Sequence, residues 1–536
     1  MINSSPSSSK RCCERAIYRK AVDCAACTSQ LVSAYRLIVI RYNKKRVSAL
    51  KTINEVVTEK KERPVKVLQF GEGNFLRAFV DYMIDIMNDE TDFNGSIVLV
   101  KPIEFGTIEQ FEKQNNLYTV YLRGLEGGKE TIKKRTVTSV SKTVAAYENY
   151  DEYAAYAKLE SLRFIVSNTT EAGIVLNLDD KLEMNPPSSY PAKLTKFLYE
   201  RYTHFNGDKS KGLVMLPVEL IDNNGKELEK CVKALAESWK LESGFVQWLD
   251  EACVFASTLV DRIVTGYPRD EDTKIFEEFG YEDKLIVTGE PFALWVIESD
   301  KDISGELPFE KAGLPVIFTD NHKPYKQRKV RILNGAHTSF VLASYLAGND
   351  YVGQSMDDEI VFSFMKKTIF DEVIPTLDLP ESELLEFAEA VIDRFKNPFI
   401  KHSLLAISLN SVSKWKARCM PSFTEYINRK GQLPGHLTFS LASLIAFYNG
   451  SEIRNGVLIG NRDGAEYEIK DDKFVLDFFA ANSKLPADEL AKAVLSNTDF
   501  WGTDLAQYEG VLENVGNYIS DIRSLGMRKA LEKNFG

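Results

Sequence analysis

Apolar positions are spaced in two ways along this chain, and the change falls near residue 350. From about residue 65 to residue 320, short apolar runs alternate with stretches of helical spacing. Val65-Lys-Val-Leu-Gln-Phe70, Ser96-Ile-Val-Leu-Val100, Arg163-Phe-Ile-Val-Ser167 and Gly212-Leu-Val-Met-Leu-Pro217 are short enough for strands and apolar enough for burial on both faces. Residues 117–122, 131–140 and 315–320 add further strands, and helical spacing follows over 78–87, over 147–159 and after Ser189. Strands alternating with helices predict an α/β fold, a Rossmann-like doubly wound sheet over residues 61–325. Beyond residue 350 the strand signals stop. Residues 356–374, 381–395, 403–416, 437–448, 487–495 and 511–531 show helical periodicity, which predicts an all-helical domain over 326–536. Residues 1–60 fit neither pattern: Ser-rich, then basic, without glycine, they are expected to be a disordered or non-native extension.

Composition narrows the partners. A net charge of -10 and a pI near 5.4, with no basic segment in the folded region, argue against nucleic acid. Leu37-Ile-Val-Ile40 is far too short to span a membrane, and no secretory signal pattern opens the chain, so a cytoplasmic protein is expected. Cys24 and Cys27 have a usable zinc spacing, but Cys12 and Cys13 make a poor second pair. Cys231, Cys253 and Cys419 are scattered, as reduced thiols are, and the five histidines lie far apart in sequence. A metal-independent protein is expected.

Candidate chemistry sits at two places. After the first strand, Gly71-Glu-Gly73 turns the chain into a helix, a unit whose N–H groups can approach a pyrophosphate. The third glycine of the usual fingerprint is absent, so Gly-x-Gly alone also fits a tight turn without ligand. At the end of the second strand Lys101 leaves a 2′-phosphate, and so NADP, open; Glu104 keeps NAD open. The polar stretch Ser167-Asn-Thr-Thr-Glu-Ala-Gly173 follows a parallel strand, at the sheet edge where such folds bind ligands. The second place is Lys329-Val-Arg-Ile-Leu-Asn334-Gly-Ala-His337, which sets three polar groups in an apolar helical pattern. At about 100° per residue, Lys329, His337 and Asn334 fall near 0°, about 80° and about 140°, on one side of a helix. Gly335 costs that helix about 1 kcal/mol relative to alanine, which a closely approaching ligand would explain.

The spacing Lys-x4-Asn-x2-His, and Gly-x-Gly-x-Phe-x-Arg in the first loop, resemble the signatures of the polyol-specific long-chain dehydrogenases, the mannitol dehydrogenase family. Leu68 to Phe79, Ser257 to Pro268, Lys323 to Val330 and Leu437-Thr-Phe-Ser-Leu-Ala442 narrow the resemblance to members that act on sugar acids, across nearly everything after residue 50. The resemblance implies an NAD-dependent oxidoreductase of a small sugar acid. It implies cofactor contacts at Gln69, Phe70, Gly71, Glu72, Gly73, Asn74, Phe75, Leu76 and Arg77, where Arg77 could add a cation. Lys329, Asn334 and His337 become the catalytic set, and Asp261 and Lys414 the substrate-binding residues. An Asp261–Arg262 structural pair is an equally fair reading. Ala406 stands where mannitol dehydrogenases have an arginine, a departure that points away from a polyol. Lys326, one turn before Lys329, adds a second ammonium. Leu50-Lys-Thr-Ile-Asn54 resembles the opening of such proteins, with leucine where their initiator methionine stands. The first 49 residues are therefore expected to be untranslated if Leu50 is read from an alternative start codon.

Overall fold

The computed structural model describes residues 50–170 and 172–536. The readings of Cys12, Cys13, Cys24 and Cys27, and of a start at Leu50 rather than upstream, concern residues outside that range. Residues 50–57, expected to belong to a disordered extension, are folded. Lys51–Thr52 pairs in parallel with Tyr281–Glu282, and Ile53 is buried with Leu117 and Tyr281.

Eight strands make up most of the first domain: β1 (Val65–Phe70), β2 (Ser96–Lys101), β3 (Tyr118–Glu126), β4 (Lys129–Val137), β5 (Val140–Ala145), β6 (Phe164–Ser167), β7 (Val214–Pro217) and β8 (Val254–Phe255). Six of them form one parallel sheet in the order β5-β2-β1-β6-β7-β8. The chain winds outward from β1 in one direction and from β6 in the other, so β1 and β6 flank the switch point of the sheet. Their register pairs Phe70 with Ser167, and the loops after both leave on the same edge.

Alternate residues of a strand point to opposite faces. Val67 packs with Phe79, Met83 and Leu99, while Leu68 and Phe70 pack with Leu194, Phe197 and Ile165 on the other side. Both faces are covered, which is why the strands read as continuous apolar runs rather than alternating ones. Four further strands, β9 (Ser257–Asp261), β10 (Val264–Gly266), β11 (Val287–Gly289) and β12 (Leu294–Glu298), lead to β13 (Val316–Thr319). β12 pairs antiparallel with β9 and parallel with β13.

Helix α1 spans residues 74–90 and α2 is Tyr190–His204. Residues 323–346 then form α3, which leaves the end of β13 and enters the helical domain. Its start is clamped by Glu298, which accepts from the backbone N–H of His322 at 3.0 Å and from Lys226 Nζ at 2.9 Å. The helical domain includes α4 (Glu381–Phe395), α5 (Ser411–Arg418), α6 (Gly435–Phe447) and α7 (Val511–Leu525). Its core joins Phe340, Phe395, Trp415, Phe439 and Trp501, and extends to Leu294 and Val296 of β12, so the two domains share packing. One feature departs from the helical reading: β14 (Glu452–Arg454), β15 (Val457–Arg462) and β16 (Ala465–Ile469) form an antiparallel meander. Its turns are Asn455-Gly456 and Asp463-Gly464, all four residues at positive φ. Those pairs are the strongest short-range hairpin signal. Among the described residues no helix is long and apolar enough to cross a membrane, and no cluster of His, Cys, Asp and Glu could hold a metal.

Candidate active site

The loop after β1 is shaped by backbone geometry. Gly71 has φ +118°, a conformation L side chains rarely adopt, and its N–H bonds across to the Val100 carbonyl at 2.9 Å. A Cβ on Gly71 would lie 3.3 Å from the Asn168 carbonyl oxygen, so the loops after β1 and β6 touch. Gly73 caps the start of α1, and nothing lies within 4 Å of where its Cβ would be. Above it opens a cavity of about 410 Å³ whose lining includes Gly71, Glu72, Gly73, Ile103, Asn168, Thr169, Tyr190 and Lys193. A glycine with open space at a helix N-terminus, facing a cavity at the switch point, fits a dinucleotide's pyrophosphate.

Arg77 does not turn its guanidinium toward that cavity. Its guanidinium is buried and turned inward, donating to the carbonyls of Glu72 (3.2 Å) and Leu285 and to Asn74 Oδ1 (2.7 Å), over the rings of Phe111 and Tyr118. Arg77 holds the loop from beneath. Lys193, which carried no signal in sequence beyond its place in α2, lines the cavity; burial pushes its ammonium down to about 8. It donates to the Ser188 carbonyl at 2.6 Å. Lys101 is buried and spoken for, donating to the Gly106 carbonyl at 2.9 Å and pairing with Glu148 at 3.0 Å.

Helix α3 contains a π-turn over Lys329–Asn334, between α-helical Lys323–Arg328 and Gly335–Leu346. A π-turn bonds residue i to i+5, so residues five apart come nearly over one another. Lys329 and Asn334 are five apart. The regular-helix phasing of about 140° therefore understates how closely they share a face.

Lys329 Nζ donates to the Val260 carbonyl at 2.8 Å and lies 3.5 Å from Asp261 Oδ1, so the last two residues of β9 hold the ammonium. Asp261 does not pair with Arg262, nor are its oxygens open to a substrate. Arg394 of α4 grips both of them, Nη1 and Nη2 each at 3.0 Å. The other side of the same guanidinium meets Glu290, Nε at 3.0 Å and Nη2 at 2.9 Å. Burial works to raise the Asp261 carboxyl, but Arg394 and Lys329 outweigh it and hold it below the ordinary aspartate range. Burial raises Glu290. Arg262 instead donates to the carbonyls of Phe292, Ala78 and Pro291, and burial lowers it to about 10. Lys329, Asp261, Arg394 and Glu290 form a charge-balanced buried network that crosses from the first domain to the second.

Asn334 is half-buried, and its carboxamide has no hydrogen bond among the described residues. His337 stacks on Phe395 with centroids 4.3 Å apart and meets His402 edge-on at 5.2 Å. Its Nε2 is shut off from solvent and has no hydrogen-bond partner among the described residues. Burial, then His402, Arg394, Arg418 and Lys414, push the ring well below the usual histidine range, so it is neutral at neutral pH. A buried imidazole nitrogen without a partner costs about 1–3 kcal/mol, which a bound oxygen would recover.

Gly335 serves packing, not a ligand: its Cβ would meet the Arg418 carbonyl at 3.3 Å, where the end of α5 abuts α3. Lys414 approaches the same region, its Nζ donating to the Ile407 carbonyl at 2.9 Å; burial and Arg418 lower it. Lys326 turns elsewhere and pairs with Asp222. The geometry thus presents an ammonium, a free carboxamide and a neutral imidazole along one helix, at the junction of two domains.

Comparison with known proteins agrees with this architecture. The Mannitol dehydrogenase Rossmann domain matches residues 65–311 and the Mannitol dehydrogenase C-terminal domain residues 321–523. The chain is 45% identical over 489 residues to an altronate oxidoreductase of Yersinia enterocolitica serotype O:8 / biotype 1B, covering 90% of this chain and 99% of that protein. An altronate oxidoreductase of Escherichia coli O7:K1 gives the same identity and coverage. Among solved structures, a substrate-free D-sorbitol dehydrogenase superposes with a TM-score of 0.75 at 21% identity, over 90% of this chain and 100% of that one. Pseudomonas fluorescens mannitol 2-dehydrogenase, in a ternary complex with NAD and D-mannitol, gives 0.62 at 20% identity, over 90% and 99%. These two show the fold. With both family domains matched in order along nearly the whole described chain, the protein belongs to the mannitol dehydrogenase family of oxidoreductases.

Proposed function

We propose that the protein catalyses the reversible, NAD-dependent reduction of D-tagaturonate to D-altronate in the cytoplasm. The observation that carries this reading is the Lys329–Asn334–His337 set, with its unpartnered buried nitrogen, in a chain 45% identical to altronate oxidoreductases. Bound NADH would supply the hydride. Lys101 is committed to Glu148 and to its own loop, which leaves it no reach toward a 2′-phosphate, while the Glu104 carboxylate has no partner among the described residues; both support NAD over NADP.

Hydride arrival at a ketone leaves an alkoxide, which needs a proton and nearby donors. Lys329 delivers the proton from Nζ in reduction and accepts it in oxidation. The Val260 carbonyl and Asp261 fix where that nitrogen sits. Asn334 Nδ2 and neutral His337 Nε2 donate to the same oxygen and hold it against Lys329. Lys414 adds positive potential for the substrate's carboxylate. The Gly71–Gly73 loop and Lys193 hold the cofactor's phosphates.

The test is NADH and NADPH oxidation with D-tagaturonate and, separately, D-fructuronate, in chelator-treated buffer. NADH-dependent turnover fastest on D-tagaturonate is the expected result. Faster turnover on D-fructuronate would replace the substrate and keep the chemistry, and no turnover on either would favour a dinucleotide-binding protein without catalysis.

A further inference from the structure

Of the three cations on helix α5, Lys414, Lys416 and Arg418, the first and last lie one turn apart, and their surroundings differ. The Lys414 ammonium already has the Ile407 carbonyl at 2.9 Å. Arg418 is half-buried, yet no carboxylate lies within ion-pair distance of it among the described residues. Among the described residues its side chain makes one hydrogen bond, from Nη1 to Thr338 Oγ1 at a long 3.4 Å. The contrast with Arg394 is plain: that guanidinium is saturated by two carboxylates, while most of the Arg418 fork is unused.

Position gives the unused fork a purpose. Thr338 directly follows His337, and Arg418 is among the charges felt by the His337 ring. The backbone beneath it is fixed, because the Arg418 carbonyl packs at Gly335 and Cys419 Sγ reaches the Gly335 carbonyl at 3.6 Å. A rigidly based, half-desolvated guanidinium beside the reacting oxygen's partner lacks only an anion. Its planar N–H fork matches a carboxylate in two parallel hydrogen bonds, which an ammonium cannot do.

We propose that Arg418 is the residue that recognises the substrate's carboxylate, gripping it through its free N–H groups while Thr338 Oγ1 orients the guanidinium. Arg418 thereby selects sugar acids over neutral ketoses, with Lys414 as an auxiliary cation. The proposal rests on reading the protein as a sugar-acid oxidoreductase.

The test compares wild type, Arg418→Gln and Arg418→Lys in NADH oxidation with D-tagaturonate and with D-tagatose, the neutral ketose bearing a hydroxymethyl group in place of the carboxylate. Thermal melting confirms that each variant is folded. In Arg418→Gln, kcat/KM for D-tagaturonate is expected to fall on the order of 100-fold, mainly through KM, as loss of charge-assisted hydrogen bonds implies. The value for D-tagatose should stay within about 3-fold, since that ligand offers no anion to lose. Arg418→Lys, keeping charge without the fork, should fall between. A preference for the acid that survives in Arg418→Gln, or an equal loss on both substrates, would overturn the assignment of Arg418 while leaving the oxidoreductase reading intact. Wild type inactive on hexulosonates would remove that reading and this proposal together.

Discussion

Replacing Arg394 with methionine probes the buried network most severely. The guanidinium is only 3% exposed and makes four contacts of 2.9–3.0 Å to Asp261 and Glu290. Methionine fills part of the volume but leaves two carboxylates, 6% and 1% exposed, without their shared cation. What remains is Lys329 at 3.5 Å from Asp261 and the Ile263 N–H at 2.6 Å from Glu290. Breaking a buried ion pair by removing one partner costs about 3–5 kcal/mol. At about 2–4 °C per kcal/mol for domains of this size, the melting temperature should drop by roughly 6–20 °C. The pH dependence has a definite sign. In the wild type Asp261 is held below its ordinary range, so its contribution is present above the unfolded-state value and is lost as pH falls through the depressed folded value. In the variant, burial without Arg394 raises both carboxyls, and protonation relieves the strain. The gap between variant and wild type should therefore narrow from pH 7.5 toward about pH 5. Adding Asp261→Asn to Arg394→Met should restore stability rather than lower it further. Differential scanning calorimetry across pH measures all three. A variant within about 1 kcal/mol of wild type at pH 7.5, or a gap that widens on acidification, would refute the network's role.

The neutral state of His337 has its own signature: ring-nitrogen NMR should show it still unprotonated where a free histidine is already charged, because burial and the surrounding cations oppose a charge there. A normal titration near the free-histidine value would contradict the site's electrostatics. Arg77→Lys, which loses the fork to Glu72, Leu285 and Asn74, should lower melting temperature and weaken NADH binding together; Lys193→Gln should weaken NADH binding with little change in melting, both read by calorimetry and fluorescence titration. Arg77→Lys that melts like wild type while binding NADH poorly would return Arg77 to direct phosphate contact.

Legibility in the sequence followed locality. β1, β2, β6 and β7 were readable because strands covered on both faces need continuous apolar runs, and the turn after β1 because the positive φ of Gly71 demands glycine. Lys329, Asn334 and His337 were readable as a set because one helix carries all three. The π-turn was not, since an inserted residue leaves no mark on composition. Arg394 was invisible for a different reason: it sits in an ordinary amphipathic helix, and its partner Asp261 is 133 residues away. Arg77 and Gly335 show the limit of residue type, which says what a side chain can do and not which side of a loop or helix it faces. The β14–β16 meander does carry a local signal, since Asn455-Gly456 and Asp463-Gly464 announce two hairpins inside an otherwise helical stretch.

The most direct measurement is NADH oxidation by wild type and Lys329→Ala with D-tagaturonate, alongside NADH binding to both. The account predicts that Lys329→Ala binds NADH as the wild type does and loses at least about 100-fold in kcat, the range of a positioned acid–base group. A Lys329→Ala enzyme turning over D-tagaturonate at close to the wild-type rate would contradict Lys329 as the proton donor.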